Sequence, residues 1–174
     1  MSAVTLREMT AKDCGPVAGI RVRGRQSAYR GLMPRSHLDA MTVAGNVERL
    51  RERLLRGDGT VTHLVAEAGG RIVGWACHGP YREEDRRTAD AELYAIYVDP
   101  GHYGTGIGGR LLAESVRRCT SAGHGRMFLW VLKENKGARR FYERAGFTAD
   151  GAEEPFEVQG VAVPEVRYVR DLTG

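Results

Sequence analysis

Glu92-Leu-Tyr-Ala-Ile-Tyr-Val-Asp-Pro-Gly-His-Tyr-Gly-Thr-Gly-Ile-Gly-Gly-Arg-Leu-Leu112 is the stretch that decides the fold. It reads as a nearly all-apolar strand over about 91–98, a stop at Asp99-Pro100-Gly101, a glycine-rich loop and a helix. An apolar run of that kind suits a central strand covered on both faces. Glycines at 104, 106, 108 and 109 leave backbone N–H groups unobstructed where the helix begins. Such a terminus carries roughly half a positive charge and suits a phosphate or pyrophosphate.

On either side of that core the pattern alternates between strands and helices. Val4–Met9 reads as a short edge strand and Ala11–Arg30 as a helix. In a second helical region Val43, Val47, Leu50 and Leu54 form one apolar stripe. Strands follow at 61–67 and 71–78, joined by a Gly69-Gly70 hairpin signal. Pro80–Asp90, with Glu83, Glu84, Asp85, Arg86 and Arg87, reads as a polar loop. After the glycine loop, Ile107, Leu111, Ser115 and Cys119 recur every four residues, and Met127–Leu132 is a further strand. Asn135 opens a helix with Ala138, Phe141, Tyr142 and Ala145 on one face, which Gly146 ends. Two more strands occupy 147–172 and join around Val158–Pro164. The expectation is one α+β domain over residues 1–174 with a mixed sheet.

Composition narrows the partners. Net charge is +4, and only three of the 26 basic residues are lysines, so 23 arginines favour forked contacts to phosphate. No basic block exceeds Arg139-Arg140, which argues against nucleic acid. Cys14, Cys77 and Cys119 suggest no disulfide framework, and the five histidines show no metal-ligand spacing. With neither a signal-like N-terminus nor an apolar run near the ~18 residues of a membrane span, a cytoplasmic protein without membrane partners is expected.

Two segments together resemble the GNAT superfamily of N-acetyltransferases. Tyr103-Gly104-Thr105-Gly106-Ile107-Gly108 is similar to its acetyl-coenzyme A motif, Gln/Arg-x-x-Gly-x-Gly/Ala, with Tyr103 standing where Gln or Arg is usual. Asn135-Lys-Gly-Ala138-Arg-Arg-Phe141-Tyr142-Glu-Arg-Ala-Gly146-Phe147 is similar to Asn-x-x-Ala-x-x-Phe-Tyr-x-x-x-Gly-Phe. The resemblance implies a mixed, mostly antiparallel sheet of about seven strands flanked by about four helices and splayed between the fourth and fifth strands. It also implies acetyl-CoA as cosubstrate, no metal, and transfer to a primary amine by direct attack on the thioester. Family members often form homodimers.

By the same resemblance, the backbone of Ile96, Tyr97 and Val98 holds the pantetheine arm, and an N–H near Val98 faces the thioester carbonyl. Residues 103–109 (Tyr103, Gly104, Thr105, Gly106, Ile107, Gly108 and Gly109) hold the pyrophosphate, and Asn135 and Ala138 contact the cofactor. Asn135 is equally a plain helix N-cap. Tyr142 is the candidate acid for the departing thiolate, although Phe141 and Tyr142 also suit simple packing. Glu92 is the candidate base, sharing a strand face with Tyr94, Ile96 and Val98. Its alternative is a strand-end carboxylate paired with arginine, and Asp90 and His78 are the reserve bases.

The acceptor is expected between the first two helices (Tyr29, Arg30, Met33, Leu38), the Pro80–Asp90 loop and the C-terminal strands. Acidic rims at Glu83, Glu84, Asp85, Glu153, Glu154 and Glu157 favour a small cationic amine, or a protein N-terminus. Gly104–Gly109 also fits the dinucleotide fingerprint G-x-G-x-x-G, but the 65 residues beyond it are too few for the second half of a doubly wound fold. A non-catalytic acyl-CoA-binding module is the remaining alternative.

Overall fold

The computed structural model describes residues 2–83 and 86–174. Seven strands form one sheet: β1 (Val4–Glu8), β2 (Thr62–Ala68), β3 (Arg71–Glu83), β4 (Arg86–Val98), β5 (Arg126–Leu132), β6 (Thr148–Val158) and β7 (Val161–Asp171). Their order is β1-β2-β3-β4-β5-β7-β6. Every neighbouring pair is antiparallel except β4 and β5, which run parallel. The helices are α1 (Cys14–Ala28), α2 (Arg35–Asp39), α3 (Val43–Arg56), α4 (Ile107–Ser121) and α5 (Lys136–Arg144).

Local chemistry explains the turns. Gly69 and Gly70 have φ of 56° and 76°, the paired positive values that a tight two-residue hairpin demands. Gln159 and Gly160 make the β6–β7 turn in the same way, with φ of 50° and 76°. Thr42 caps α3 by accepting the Gly45 N–H at 3.2 Å. Gly146, at φ 88°, ends α5.

Two layers of helix sandwich the sheet. On one face α4 buries Ile107, Leu111, Leu112, Val116 and Cys119, and α5 adds Tyr142. Burying each such leucine is worth about 1.5–3 kcal/mol. Close approach of α4 relies on Gly74 of β3: a Cβ there would lie 2.9 Å from the Leu111 side chain. On the other face, α1 and α3 cover Val65, Trp75 and Cys77. Leu50 of α3 is fully buried, whereas Val43 at the helix start is 43% exposed, so the expected apolar stripe begins one turn later.

The Pro80–Asp90 stretch is a correction. Residues up to Glu83 continue β3 and those from Arg86 begin β4, with Arg82 opposite Arg87 and Glu83 opposite Arg86. The polar composition there belongs to paired strands rather than to a loop, with Arg82 and Glu83 exposed. Glu84 and Asp85 lie outside the described residues.

The sheet comes apart between β4 and β5. Pairing runs Ala91↔Met127, Glu92↔Phe128 and Leu93↔Leu129 and then stops. Beyond that rung β4 stays paired with β3 as far as Val98↔Gly74, and β5 stays with β7 as far as Leu132↔Glu165. The expected splay between the fourth and fifth strands is therefore present.

Candidate active site

The glycine loop lies at the C-terminal end of β4. A 3₁₀ turn, Pro100–His102, closes the strand, and the Thr105 hydroxyl donates to the His102 carbonyl at 2.6 Å. Gly104 and Gly106 take φ of 74° and 84°, and Gly106 is the N-cap of α4. The first helical bond runs from Arg110 N–H to the Gly106 carbonyl. Among the described residues no acceptor takes the N–H groups of 104–109. The loop stands open: Tyr103, Gly104, Thr105, Gly106 and Gly109 are exposed, Gly108 is half-buried, and Ile107 is buried as the first core residue of α4. Gly108 faces the Phe141 ring, linking the loop to α5.

Ile96, Tyr97 and Val98, all half-buried, lie on the stretch of β4 that has lost β5 as a neighbour. Across the gap, Asn135 caps α5 by accepting the Ala138 N–H at 3.3 Å, and Ala138 packs on the core behind. Tyr142 is buried at 8% exposure, its ring edge-on to Phe141 and Phe147. No hydrogen-bond partner among the described residues holds its hydroxyl, and burial, with a smaller push from Tyr97, raises its pKa. Tyr97 meets the Tyr29 hydroxyl at 3.3 Å and accepts from Arg25 at 3.2 Å. Three phenols and one guanidinium thus converge on the gap from both faces.

Glu92 needs a correction. Cys77 pairs with Ala95, but His78 pairs with Leu93, so Tyr94 is an extra residue in β4. This bulge shifts the alternation by one. Glu92 and Tyr94 face the α1 side, and beyond the bulge Ala95 and Tyr97 take over that face. Ile96 and Val98 pack on the α4 side instead. Glu92 therefore does not share their face.

The Glu92 carboxylate accepts the Arg82 N–H at 3.3 Å. Burial raises its pKa; the Arg82 N–H and guanidinium oppose that, and Glu165 pushes further upward. The reserve bases are placed elsewhere. Asp90 is paired with Arg126 at 2.9 Å, and burial holds His78 neutral, its pKa lowered to about 4, on the α4 side.

Around Glu92 the same sheet face carries residues that no motif marks. Glu165 of β7 lies opposite Leu132 on one side and Glu154 on the other. Burial, then Glu154, raises its pKa, and Arg25 opposes them. Arg167 donates to Asp150 at 2.6 Å and to the Tyr81 hydroxyl at 3.0 Å, and it lies over the Phe128 ring. Met33 and Leu38, buried against Leu132, Val158 and Val163, roof this end, with Tyr29 packed beside them and Arg30 exposed. Of the expected acidic rim, Glu153 is paired with Lys133 at 3.0 Å, while Glu83, Glu154 and Glu157 are exposed.

Fold and site together define an acyltransferase. Residues 29–147 match the model of the acetyltransferase (GNAT) family, and the chain belongs to that family. It is 29% identical over 163 residues to the uncharacterized N-acetyltransferase YuaI of Bacillus subtilis, covering 94% of this chain and 90% of the relative. It is 31% identical over 85 residues to the L-methionine sulfoximine/L-methionine sulfone acetyltransferase of Salmonella typhimurium, about half of each chain. Several further N-acetyltransferases are matched over 38–57% of their own length. The PaiA N-acetyltransferase from Thermoplasma acidophilum, solved with coenzyme A, superposes with a TM-score of 0.77 at 17% identity, over 97% of this chain and 99% of that one. The Salmonella typhimurium yncA structure with acetyl-CoA gives 0.75 at 22% identity, over 99% and 96%. No helix among the described residues is long and apolar enough to cross a membrane.

Proposed function

We propose that residues 1–174 form one acetyltransferase domain that moves an acetyl group from acetyl-CoA to a primary amine, with a small cationic amine as acceptor. The observation that carries this reading is the unpaired interval beyond Leu93↔Leu129, which ends at a run of open amides. Acetyl-CoA supplies an activated acyl group as a thioester. The N–H groups of 104–109 suit its pyrophosphate, and the free edge of Ile96, Tyr97 and Val98 suits a pantetheine arm, which carries amides of its own. Tyr103 leaves the main-chain part of the phosphate site intact. Asn135 serves its helix through Oδ1, and its amide group remains for the cofactor.

In the direct-transfer mechanism, the acceptor amine loses a proton and attacks the thioester carbonyl. The oxyanion is met by a main-chain N–H near Val98, and the C–S bond breaks as a proton reaches sulfur. Tyr142, whose phenol is kept protonated by burial, is the donor to that sulfur. Glu92, with an elevated pKa, takes the proton from the incoming ammonium, directly or through water. A cationic acceptor is supported by Glu92, Glu165 and Glu154 on one sheet face, which together attract an ammonium group.

The test is a thiol-release screen with acetyl-CoA against polyamines, aminoglycosides, amino acids and peptides. Turnover with polyamines or aminoglycosides is expected. Turnover confined to peptides would move the acceptor to a protein N-terminus. Tight acetyl-CoA binding without thiol release from any amine would overturn the enzymatic reading.

A further inference from the structure

A cavity of about 580 Å³ opens on the sheet face covered by α1 and α3. Neither the glycine loop nor Leu93, Leu129 or Tyr142 lines it. Among the described residues its walls bring together Arg21 of α1, Arg53 and Arg56 of α3 and Arg82 of β3, with Glu52 and Asp58 as the acidic ones. Arg21 is half-buried at the back, with Arg53, Arg56 and Arg82 exposed around the mouth. Among the described residues Arg21, Arg53 and Arg56 form no ion pair, while Arg82 lies 4.3 Å above the Tyr94 ring. The Arg21 Nε is buried with no hydrogen-bond partner among the described residues.

The rest of the lining is mostly apolar, with His63 held by its neighbours. Trp75 donates its indole N–H to His63 Nδ1 at 3.3 Å, which places the histidine proton on Nε2, beside Cys77 Sγ at 3.9 Å. Trp75 also stacks on Tyr97. Burial disfavours the Arg21 cation, Tyr97 opposes that, and Arg25, Arg53 and Arg49 add repulsion. A part-buried guanidinium among like charges is costly unless an anion reaches it. Arginine forks match carboxylate and phosphate groups, and a partly apolar hollow of this volume fits a metabolite-sized molecule.

We infer that this cavity is a second binding site, for a small polyanion carrying carboxylate or phosphate groups. It is distinct from the cofactor loop and from the strand gap. Tyr94 and Ala95 of β4 form one wall, so an occupant rests against the back of the strand whose other edge is free.

Trp130→Phe leaves Trp75 as the only indole, and its emission reports on the cavity. The protein is titrated with citrate and, separately, with inorganic pyrophosphate, each with and without saturating coenzyme A. The expected result is a saturable change in Trp75 emission that persists with coenzyme A present. Its apparent Kd should rise at least tenfold in Arg53→Met and in Arg21→Met; Arg53 is exposed, so its variant keeps the fold. A response to citrate alone assigns carboxylate as the recognised group, and one to pyrophosphate alone assigns phosphate. No saturable response to either anion overturns the inference. So does a response abolished by coenzyme A, or an unchanged affinity in Arg53→Met.

Discussion

The ring of Tyr97 lies against Gly24 so closely that a Cβ on Gly24 would sit 2.9 Å from Tyr97 Cδ1. Helix α1 reaches the strand that borders the gap only because this position carries no side chain. Gly24→Val should cost roughly 1–3 kcal/mol through overpacking. Urea unfolding checks the cost, and Tyr97→Ala in the same background should recover part of it. Purely additive losses would show that the two residues do not share this contact.

Gly106 offers a test of the proposed cofactor loop that is separable from folding. At φ 84° a larger residue is strained by about 1–2 kcal/mol. A Cβ there has no described protein atom within 4 Å, so it would project into the open space the proposed cofactor would take. Gly106→Val should weaken coenzyme A binding at least tenfold by calorimetry while the protein still folds.

Tyr142→Phe tests the proton donor. The hydroxyl has no hydrogen-bond partner among the described residues, so stability should change by less than about 0.5 kcal/mol. Turnover should fall about 10²–10⁴-fold at unchanged KM for acetyl-CoA. Intact turnover would return Tyr142 to a packing role.

Glu92 gives two readouts of opposite sign. As a base it must be ionised, so the rate should rise with pH through its elevated pKa, and Glu92→Gln should lose that limb of the profile. For stability the raised pKa means that the folded state favours the neutral carboxyl. The contribution is therefore full below the ordinary glutamate value of about 4.3 and lost as pH rises through the folded value. Glu92→Gln should accordingly raise the melting temperature at pH 8, with the gain vanishing near pH 4.

Asp13 behaves in the opposite way. Its carboxylate accepts from Arg7 at 2.8 and 3.0 Å and from the Thr10 N–H, and Arg7 above all lowers its pKa to about 2. That interaction stabilises the protein above the ordinary aspartate value and fades as pH falls towards 2. Asp13→Asn should cost about 2 kcal/mol at pH 7, and the difference should shrink in acid denaturation.

What was legible in the sequence follows from what each residue does locally. Gly104 and Gly106 announce their turn because their backbone angles exclude most other residues, and the spacing from Asn135 to Phe147 carries its own cap and stop. The succession of most strands and helices along the chain could be read from periodicity. The Tyr94 bulge could not, because nothing in Glu92-Leu-Tyr-Ala-Ile-Tyr-Val98 shows that one residue lacks a partner across the strand. Every facing assignment after it was therefore inverted. The strand ends within Pro80–Asp90 were hidden by a charged composition that carries no alternating apolar pattern. Glu165, Gly24 and the arginines around Trp75 gain meaning only from partners on distant elements.

An open sheet ordinarily has two rims. This one has four, because β4 and β5 each keep a bare flank in the middle of the molecule. Beyond Leu93↔Leu129 the facing edges of these two strands have no ladder neighbour among the described residues, and the proposed pantetheine arm would supply one. A guest seated along Tyr94–Val98 would knit the two halves together, and amide exchange in that segment should slow far more on cofactor addition than anywhere else in the sheet.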